Sequence, residues 1–292
     1  MASVVRSPVA STLSRFERPD GVALAIETFG APAAPIVFAH GFGQTRQAWA
    51  GTAATLAARG HRAVTYDARG HGDSAWRAAA PYTWEQMRDD LAAIARSQPS
   101  RPVLVGASMG GLVGLAAEGA LAPLFRALVL VDVTPRWEPR GVDRILSFMR
   151  AHPDGFESLD AAAAAIAAYL PHRRERKSPD RLRGLLADHG DGRQRWHWDP
   201  RLIDELAHGS ESYQPLLLDA ARSVRIPTLL ISGGASDIVS HETIDEFLAL
   251  VPHARHVRVA DATHMIVGDD NAAFTRHVAE FLEEIEAQEF SQ

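Results

Sequence analysis

Val103-Leu104-Val105-Gly106-Ala107-Ser108-Met109-Gly110-Gly111-Leu112-Val113-Gly114 is the stretch on which the reading of this chain turns. Val103–Ala107 is a short continuous apolar run, which predicts a strand covered on both faces. From Met109 to Ala120 the residues are small and apolar, which predicts a closely packed helix. Between the two lies Gly106-x-Ser108-x-Gly110, a turn sharp enough that the residues two before and two after the serine must be small. Composition alone, with 22 glycines in 292 residues, gives about 0.1 such matches by chance. The flanking strand and helix make the match far more specific. They place the Ser108 hydroxyl above a sheet edge and at a helix N-terminus, where backbone N–H groups stabilise an anion.

The same rhythm extends outward. Strand-like runs are read at Val22–Glu27, Ile36–Ala39, Arg62–Tyr66, Ala127–Val133, Thr228–Ser232 and His256–Val259. Helical patterns fall at Gln47–Arg59, Thr83–Arg96, Glu242–Leu250 and Ala272–Gln288. Thr83 and Gln86 have the spacing of a capping box. The expected fold class is therefore α/β, a mostly parallel eight-stranded sheet with helices on both faces. The rhythm breaks at Pro135. From there to Gln214 no strand-like run is read; helices are expected at Gly141–Ala151, Leu159–Leu170, Arg181–Ala187 and Arg201–His208. Residues 1–134 and 215–292 are thus read as the core, and residues 135–214 as a helical cap inserted after the sixth strand.

The balance of the chain excludes several classes. It carries a formal charge of −6, so no basic face for nucleic acid or an anionic membrane is expected. Its densest basic run, Arg173-Arg174-Glu175-Arg176-Lys177, is interrupted by an acid and reads as a solvated segment. No apolar stretch reaches bilayer length, and the start lacks the apolar core of a signal peptide, so a cytoplasmic protein is expected. With no cysteine there is no disulfide, thiolate metal site or cysteine nucleophile.

A serine hydroxyl needs a base within reach and a group that orients the base. Among 13 histidines, His264 stands out by position, in a loop between the last strand and the last helix. For the acid, Asp237 follows strand Thr228–Ser232 in Gly233-Gly234-Ala235-Ser236-Asp237 and is the expected partner of His264. Asp132, at the end of Val129-Leu130-Val131, competes with it but reads more readily as bonding backbone where the chain leaves the sheet. Asp261 lies too close to His264 in sequence.

Taken in order, His40-Gly41-Phe42-Gly43, Asp67-x-Arg69-Gly70-His71-Gly72-x-Ser74, Gly106-x-Ser108-x-Gly110, Asp237 and His264 resemble the α/β-hydrolase superfamily over nearly the whole chain. The insert is similar to that superfamily's cap. A serine nucleophile sets it apart from the epoxide-hydrolase and haloalkane-dehalogenase branches, which use aspartate. The resemblance implies an oxyanion hole from the backbone N–H groups of Met109 and Phe42, with the Phe42 and Met109 side chains facing the pocket. It implies structural roles for His40 and for the Asp67–Ser74 loop, in which Asp67 and Arg69 brace backbone near the site.

The expected activity is hydrolysis of a small or medium carboxylic ester or lactone through an acyl-enzyme, with no metal or organic cofactor. The same triad serves carbon–carbon hydrolases of ring-cleavage diketones, perhydrolases, acyltransferases and non-catalytic small-molecule receptors, so these stay open. In the cap, Trp137, Trp196 and Trp198 are candidates for lining an apolar pocket, and His197 for a polar substrate contact, although packing of cap helices explains the tryptophans equally well. The expected partner is a small molecule, with neither nucleic acid nor membrane, and the chain is expected to be a monomer or homodimer.

Overall fold

A computed structural model describes residues 9–77, 81–169, 182, 185–188, 190–269 and 271–289, with the side chains of residues 205–211 outside the description. The basic run at 173–177 and residues 181, 183 and 184 of the expected helix at 181–187 lie outside the described residues, and the end of that expected helix, residues 186 and 187, is strand instead.

Apolar runs of five or six residues build the centre of the sheet. Its strands are β1 (Ser11–Glu17), β2 (Ala23–Phe29), β3 (Pro35–Ala39), β4 (Arg62–Tyr66), β5 (Val103–Ala107), β6 (Ala127–Val131), β9 (Thr228–Gly233) and β10 (Arg255–Val259). Their order is β1-β2-β4-β3-β5-β6-β9-β10. Only β2 runs antiparallel to its neighbours β1 and β4; every other pairing is parallel. The strand absent from the sequence reading is β1, Ser-Thr-Leu-Ser-Arg-Phe-Glu. It is an exposed edge with no buried face, so no apolar alternation marks it.

Alternation along the central strands feeds two cores. Val103, Val105, Val129, Val131 and Ile231 pack with Trp49 and Leu56, and with Phe274, Val278 and Leu282. Trp49 immediately precedes helix α1 (Ala50–Ala57), and the last three lie on the closing helix. Leu104, Leu128, Leu130 and Leu230 turn to the other face. They meet Leu91 of α2 (Trp84–Arg96), Leu115 of α3 (Met109–Leu121) and Leu217 beyond the cap. The capping box of α2 is closed in both directions: Gln86 N donates to Thr83 Oγ1 at 3.2 Å, and Thr83 N to Gln86 Oε1 at 3.2 Å.

The segment between β6 and β9, expected as the cap and so called below, holds α4 (Pro139–Arg150) and α5 (Leu159–Tyr169), which contains the alanine tract Ala161–Ala165. It also holds strands, contrary to the helix-only expectation. β7 (Leu186–Asp188) and β8 (Gln194–Trp196) form a small antiparallel hairpin. Three-residue strands are too short to show a period, and the turn between them is shaped by Asp188 accepting from Gly190 N (2.8 Å) and Asp191 from Arg193 N (3.1 Å). Helix α6 (Arg201–Ser223) then runs straight through the expected 214/215 boundary, with Pro215 inside it. Proline costs a helix one hydrogen bond and reads as a stop. Here the packing of Leu217, Ala220 and Ala221 in the core carries the helix past it. Helix α7 (His241–Leu250) follows β9, and α8 (Ile266–Asp269) and α9 (Asn271–Glu289) close the chain.

Candidate active site

Ser108 sits where β5 becomes α3, at the carboxyl end of the sheet. Its φ is 45° and ψ −118°, a conformation that costs any residue with a Cβ. The close packing predicted for the flanking glycines is present. A Cβ at Gly106 would meet the Gly110 carbonyl and the Gly111 backbone at 2.7 Å, and one at Gly110 would overlap Ala39. Ser108 N is tied to Val131 O at 3.1 Å, which locks the turn onto β6.

His264 lies in the turn after β10. Its Nδ1 is 2.7 Å from Asp132 Oδ2, and Asp132 is fully buried. The carboxylate therefore fixes the tautomer: Nδ1 carries the proton and donates, and Nε2 is left as an acceptor. Asp132 is itself held by two further donors, Gly233 N to Oδ1 at 2.7 Å and Ser236 Oγ to Oδ2 at 2.6 Å. Ser108 and Asp132 are the two non-glycine residues with positive φ among the described residues, at 45° and 47°. Strain of this kind persists where surrounding structure over-determines it, and it gathers at functional sites.

The expected acid, Asp237, is not the partner of His264. The loop after β9 turns so that Ser236 points back toward the strand ends, while the Asp237 carboxylate faces the cap and pairs with Arg144 Nη1 at 2.9 Å. Asp132, read as bonding backbone, does bond backbone at Gly233, but its second oxygen orients the histidine.

The loop Gly41–Gln44 faces Ser108. Its amides at 41, 43 and 44 are spoken for: Gly41 N donates to Gln44 Oε1, Gly43 N to His71 Nε2, and Gln44 N to Gly41 O. None of the loop's hydrogen bonds among the described residues uses the Phe42 amide. Met109 N is the first N–H of α3; Gly111 N and Leu112 N further along the turn donate to Ser108 O, while no hydrogen bond among the described residues uses the Met109 amide. The two amides that the resemblance implies as oxyanion donors are thus free of other hydrogen bonds among the described residues. The Phe42 side chain lines the cavity, as expected, but that of Met109 does not; it is buried in the core.

Three buried histidines pin this loop. His40 Nδ1 donates to Gly41 O at 2.8 Å, and its Nε2 accepts from Ala68 N at 2.9 Å. His71 accepts from Gly43 N at 3.4 Å. His197, from the cap, donates from Nε2 to Gly43 O (3.3 Å) and accepts from Gly72 N at Nδ1 (3.0 Å). Burial holds all three below the ordinary histidine value, His71 well below it and His197 at about 4. His197 is therefore a neutral clamp on the loop, not a wall of the cavity. Because its folded pKa is depressed, the folded form loses stability as pH falls from about 6.5 toward 4, by up to about 3 kcal/mol. Two results are expected for His197→Ala: a shallower loss of stability over that window in urea titrations, and a lower kcat with a smaller change in KM, because the Gly41–Gln44 loop beside Ser108 loosens.

Of the Asp67–Ser74 loop, Asp67 braces backbone as expected, accepting from Arg46 N at 2.6 Å and Asp73 N at 2.9 Å. Arg69 does not; it forms a buried two-pronged pair with Asp90, both contacts at 2.7 Å.

A cavity of about 700 Å³ opens onto Ser108 and His264. Apart from Arg144, its cap wall is largely apolar: Ile145, Phe148 and Met149 from α4, Ile166 and Tyr169 from α5, then Leu185 and Trp196. Of the three candidate tryptophans only Trp196 lines it. Trp198 is buried against the Phe42 ring (5.1 Å between centroids) and stacks on Trp196, and Trp137 packs at the margin of the core. The residues missed had a signal: positions 145, 148 and 149 repeat at i, i+3, i+4 on an amphipathic helix. No group of His, Asp or Glu side chains among the described residues is arranged to hold a metal ion. No helix among them is long and apolar enough to cross a membrane.

An elbow serine, a carboxylate-held histidine and an eight-stranded sheet with an inserted cap define a hydrolase of the α/β class. The model of the alpha/beta hydrolase family matches residues 36–277, and the chain belongs to that family. Among its curated relatives, the 3-hydroxybutyrate-oligomer hydrolase of Cupriavidus necator is 28% identical over 261 residues, 82% of this chain and 86% of that protein. The esterase Rv0045c of Mycobacterium tuberculosis is 28% identical over 280 residues, 91% of this chain and 88% of that protein. Among solved structures, that of E-2-(acetamidomethylene)succinate hydrolase superposes with a TM-score of 0.82 at 23% identity, covering 94% of this chain and all of that one.

Proposed function

We propose that the chain is a carboxylic-ester hydrolase that works through an acyl-enzyme on Ser108, with His264 as base and Asp132 as the acid that orients it. The observation that carries this reading is the Asp132–His264 pair, which leaves Nε2 unprotonated beside the cavity that Ser108 lines. His264 Nε2 takes the Ser108 proton as the oxygen attacks the ester carbonyl. The N–H groups of Phe42 and Met109 receive the developing oxyanion. His264 then returns the proton to the departing alcohol. Water, deprotonated by the same nitrogen, attacks the acyl carbonyl and frees the acid and the serine. Asp132 stabilises the imidazolium throughout and does not itself take the proton.

Ester bonds are also what two of the relatives' names point to, an esterase and a hydrolase of 3-hydroxybutyrate oligomers. A largely apolar cavity of about 700 Å³ suits a small or medium acyl group or a lactone. The test is a panel of p-nitrophenyl esters from acetate to octanoate, alongside δ-lactones and a vinylogous diketone. The expected outcome is a kcat/KM optimum among short and medium esters, at least about a hundredfold above the diketone. Preferred turnover of the diketone would replace ester cleavage with carbon–carbon cleavage. Tight retention of a ligand without turnover would make the protein a receptor.

A further inference from the structure

The cap wall of the cavity is apolar except at one corner, where Arg144 of α4 meets Asp237 of the core loop after β9. Arg144 is the one guanidinium among the described lining residues. Its Nη1 donates to Asp237 at 2.9 Å, Nη2 donates to the Tyr169 carbonyl oxygen, and the group lies over the Tyr169 ring, 4.8 Å from its centroid. Backbone contacts hold the two partners in place as well. Glu138 N, just before α4, donates to Ile238 O at 2.8 Å, and Gly141 lies so close to the Asp237 carbonyl that a Cβ there would overlap it. Both side chains are partly exposed, 48% for Arg144 and 38% for Asp237. Neither charge is used in the proposed chemistry.

Without Asp237, this corner would present a net positive charge to any substrate in the cavity. With it, a substrate carboxylate meets a cation and an anion at similar range. Attraction and repulsion then largely cancel, while the cost of moving a carboxylate against an apolar wall stays. We infer that Asp237 sets the charge specificity of the site: by neutralising Arg144 it holds the cavity for uncharged esters and turns away those that carry a free carboxylate. This rests on the esterase reading of Ser108.

The test uses two substrates of equal chain length, p-nitrophenyl valerate and mono-p-nitrophenyl glutarate, with the full-length protein at low ionic strength. The readout is the ratio of kcat/KM for the anionic ester to that for the neutral one. In Asp237→Asn the ratio is expected to rise about tenfold, mainly through KM for the glutarate ester, and the gain to shrink with added salt. In Asp237→Asn/Arg144→Gln the gain is expected to vanish. A ratio unchanged by Asp237→Asn overturns the proposal, as does a gain that persists in the double variant. A parallel, thousandfold loss on both esters would make Asp237 the triad acid, which contradicts the pairing of His264 with Asp132 as well. Failure of the wild type to hydrolyse either ester would instead overturn the esterase reading.

Discussion

Asp132→Asn is expected to lower kcat for a good ester substrate by about 10⁴-fold, while Asp237→Asn falls short of that loss by at least two orders of magnitude. The reason lies in the proton of the imidazole. In the wild type, Asp132 Oδ2 accepts from His264 Nδ1 at 2.7 Å and so forces Nε2 to be the acceptor. An asparagine amide nitrogen at that position donates instead. It selects the tautomer protonated at Nε2, which cannot take the serine proton, and it removes the negative charge that stabilises the imidazolium. Asparagine is the right probe because it keeps the shape of the side chain and tolerates the φ of 47° at this site. The carbonyl oxygen of the introduced amide can still accept from Gly233 N, and the backbone bond from residue 132 N to Ile231 O (2.7 Å) is untouched. The loss should therefore appear in kcat with little change in the thermal midpoint, which differential scanning calorimetry checks. Equal, small losses in the two variants would remove Asp132 from the chemistry.

Ser108→Ala is expected to cost about 10⁶-fold in kcat, the largest effect of any single change. Alanine keeps the Cβ and therefore the same strained turn at φ 45°, so the fold around Gly106 and Gly110 is retained. What disappears is the atom on which the proposed covalent intermediate forms. Residual turnover then reports what the oxyanion donors and the cavity contribute alone. A loss below about a hundredfold would mean that water, not Ser108, attacks the carbonyl.

Much of this architecture was legible in the residues. The central strands are short, continuous and apolar because both faces are covered, and they alternate between two cores. Ser108 was legible because crowding at an elbow demands glycine at two fixed positions. His264 was legible because the last loop at the sheet's carboxyl edge offers one histidine. The acid was not. Asp132 and Asp237 each follow a buried strand, and nothing in the residue types distinguishes them. What separates them is a turn of one residue in the loop after β9, which gives Ser236 to Asp132 and Asp237 to Arg144. The cap tryptophans were equally ambiguous. An indole satisfies a cavity wall or a packed core alike, and Trp196 and Trp198, two residues apart, take one role each. His197 between them clamps the Gly41–Gln44 loop and Gly72 from the cap side, contacts across 154 and 125 residues of chain that no local pattern encodes. The edge strand β1 escaped because pairing with β2, not burial, is what makes it a strand.

The central claim is that Ser108 is a nucleophile activated through His264 by Asp132. Its most direct test is peptide mapping by mass spectrometry after reaction with a fluorophosphonate. The account predicts a single phosphonyl adduct on the Ser108 side chain in the wild type. It predicts none in Ser108→Ala, and labelling slowed by at least about a thousandfold in Asp132→Asn. An adduct on another residue, labelling that survives Ser108→Ala, or undiminished labelling of Asp132→Asn would contradict it.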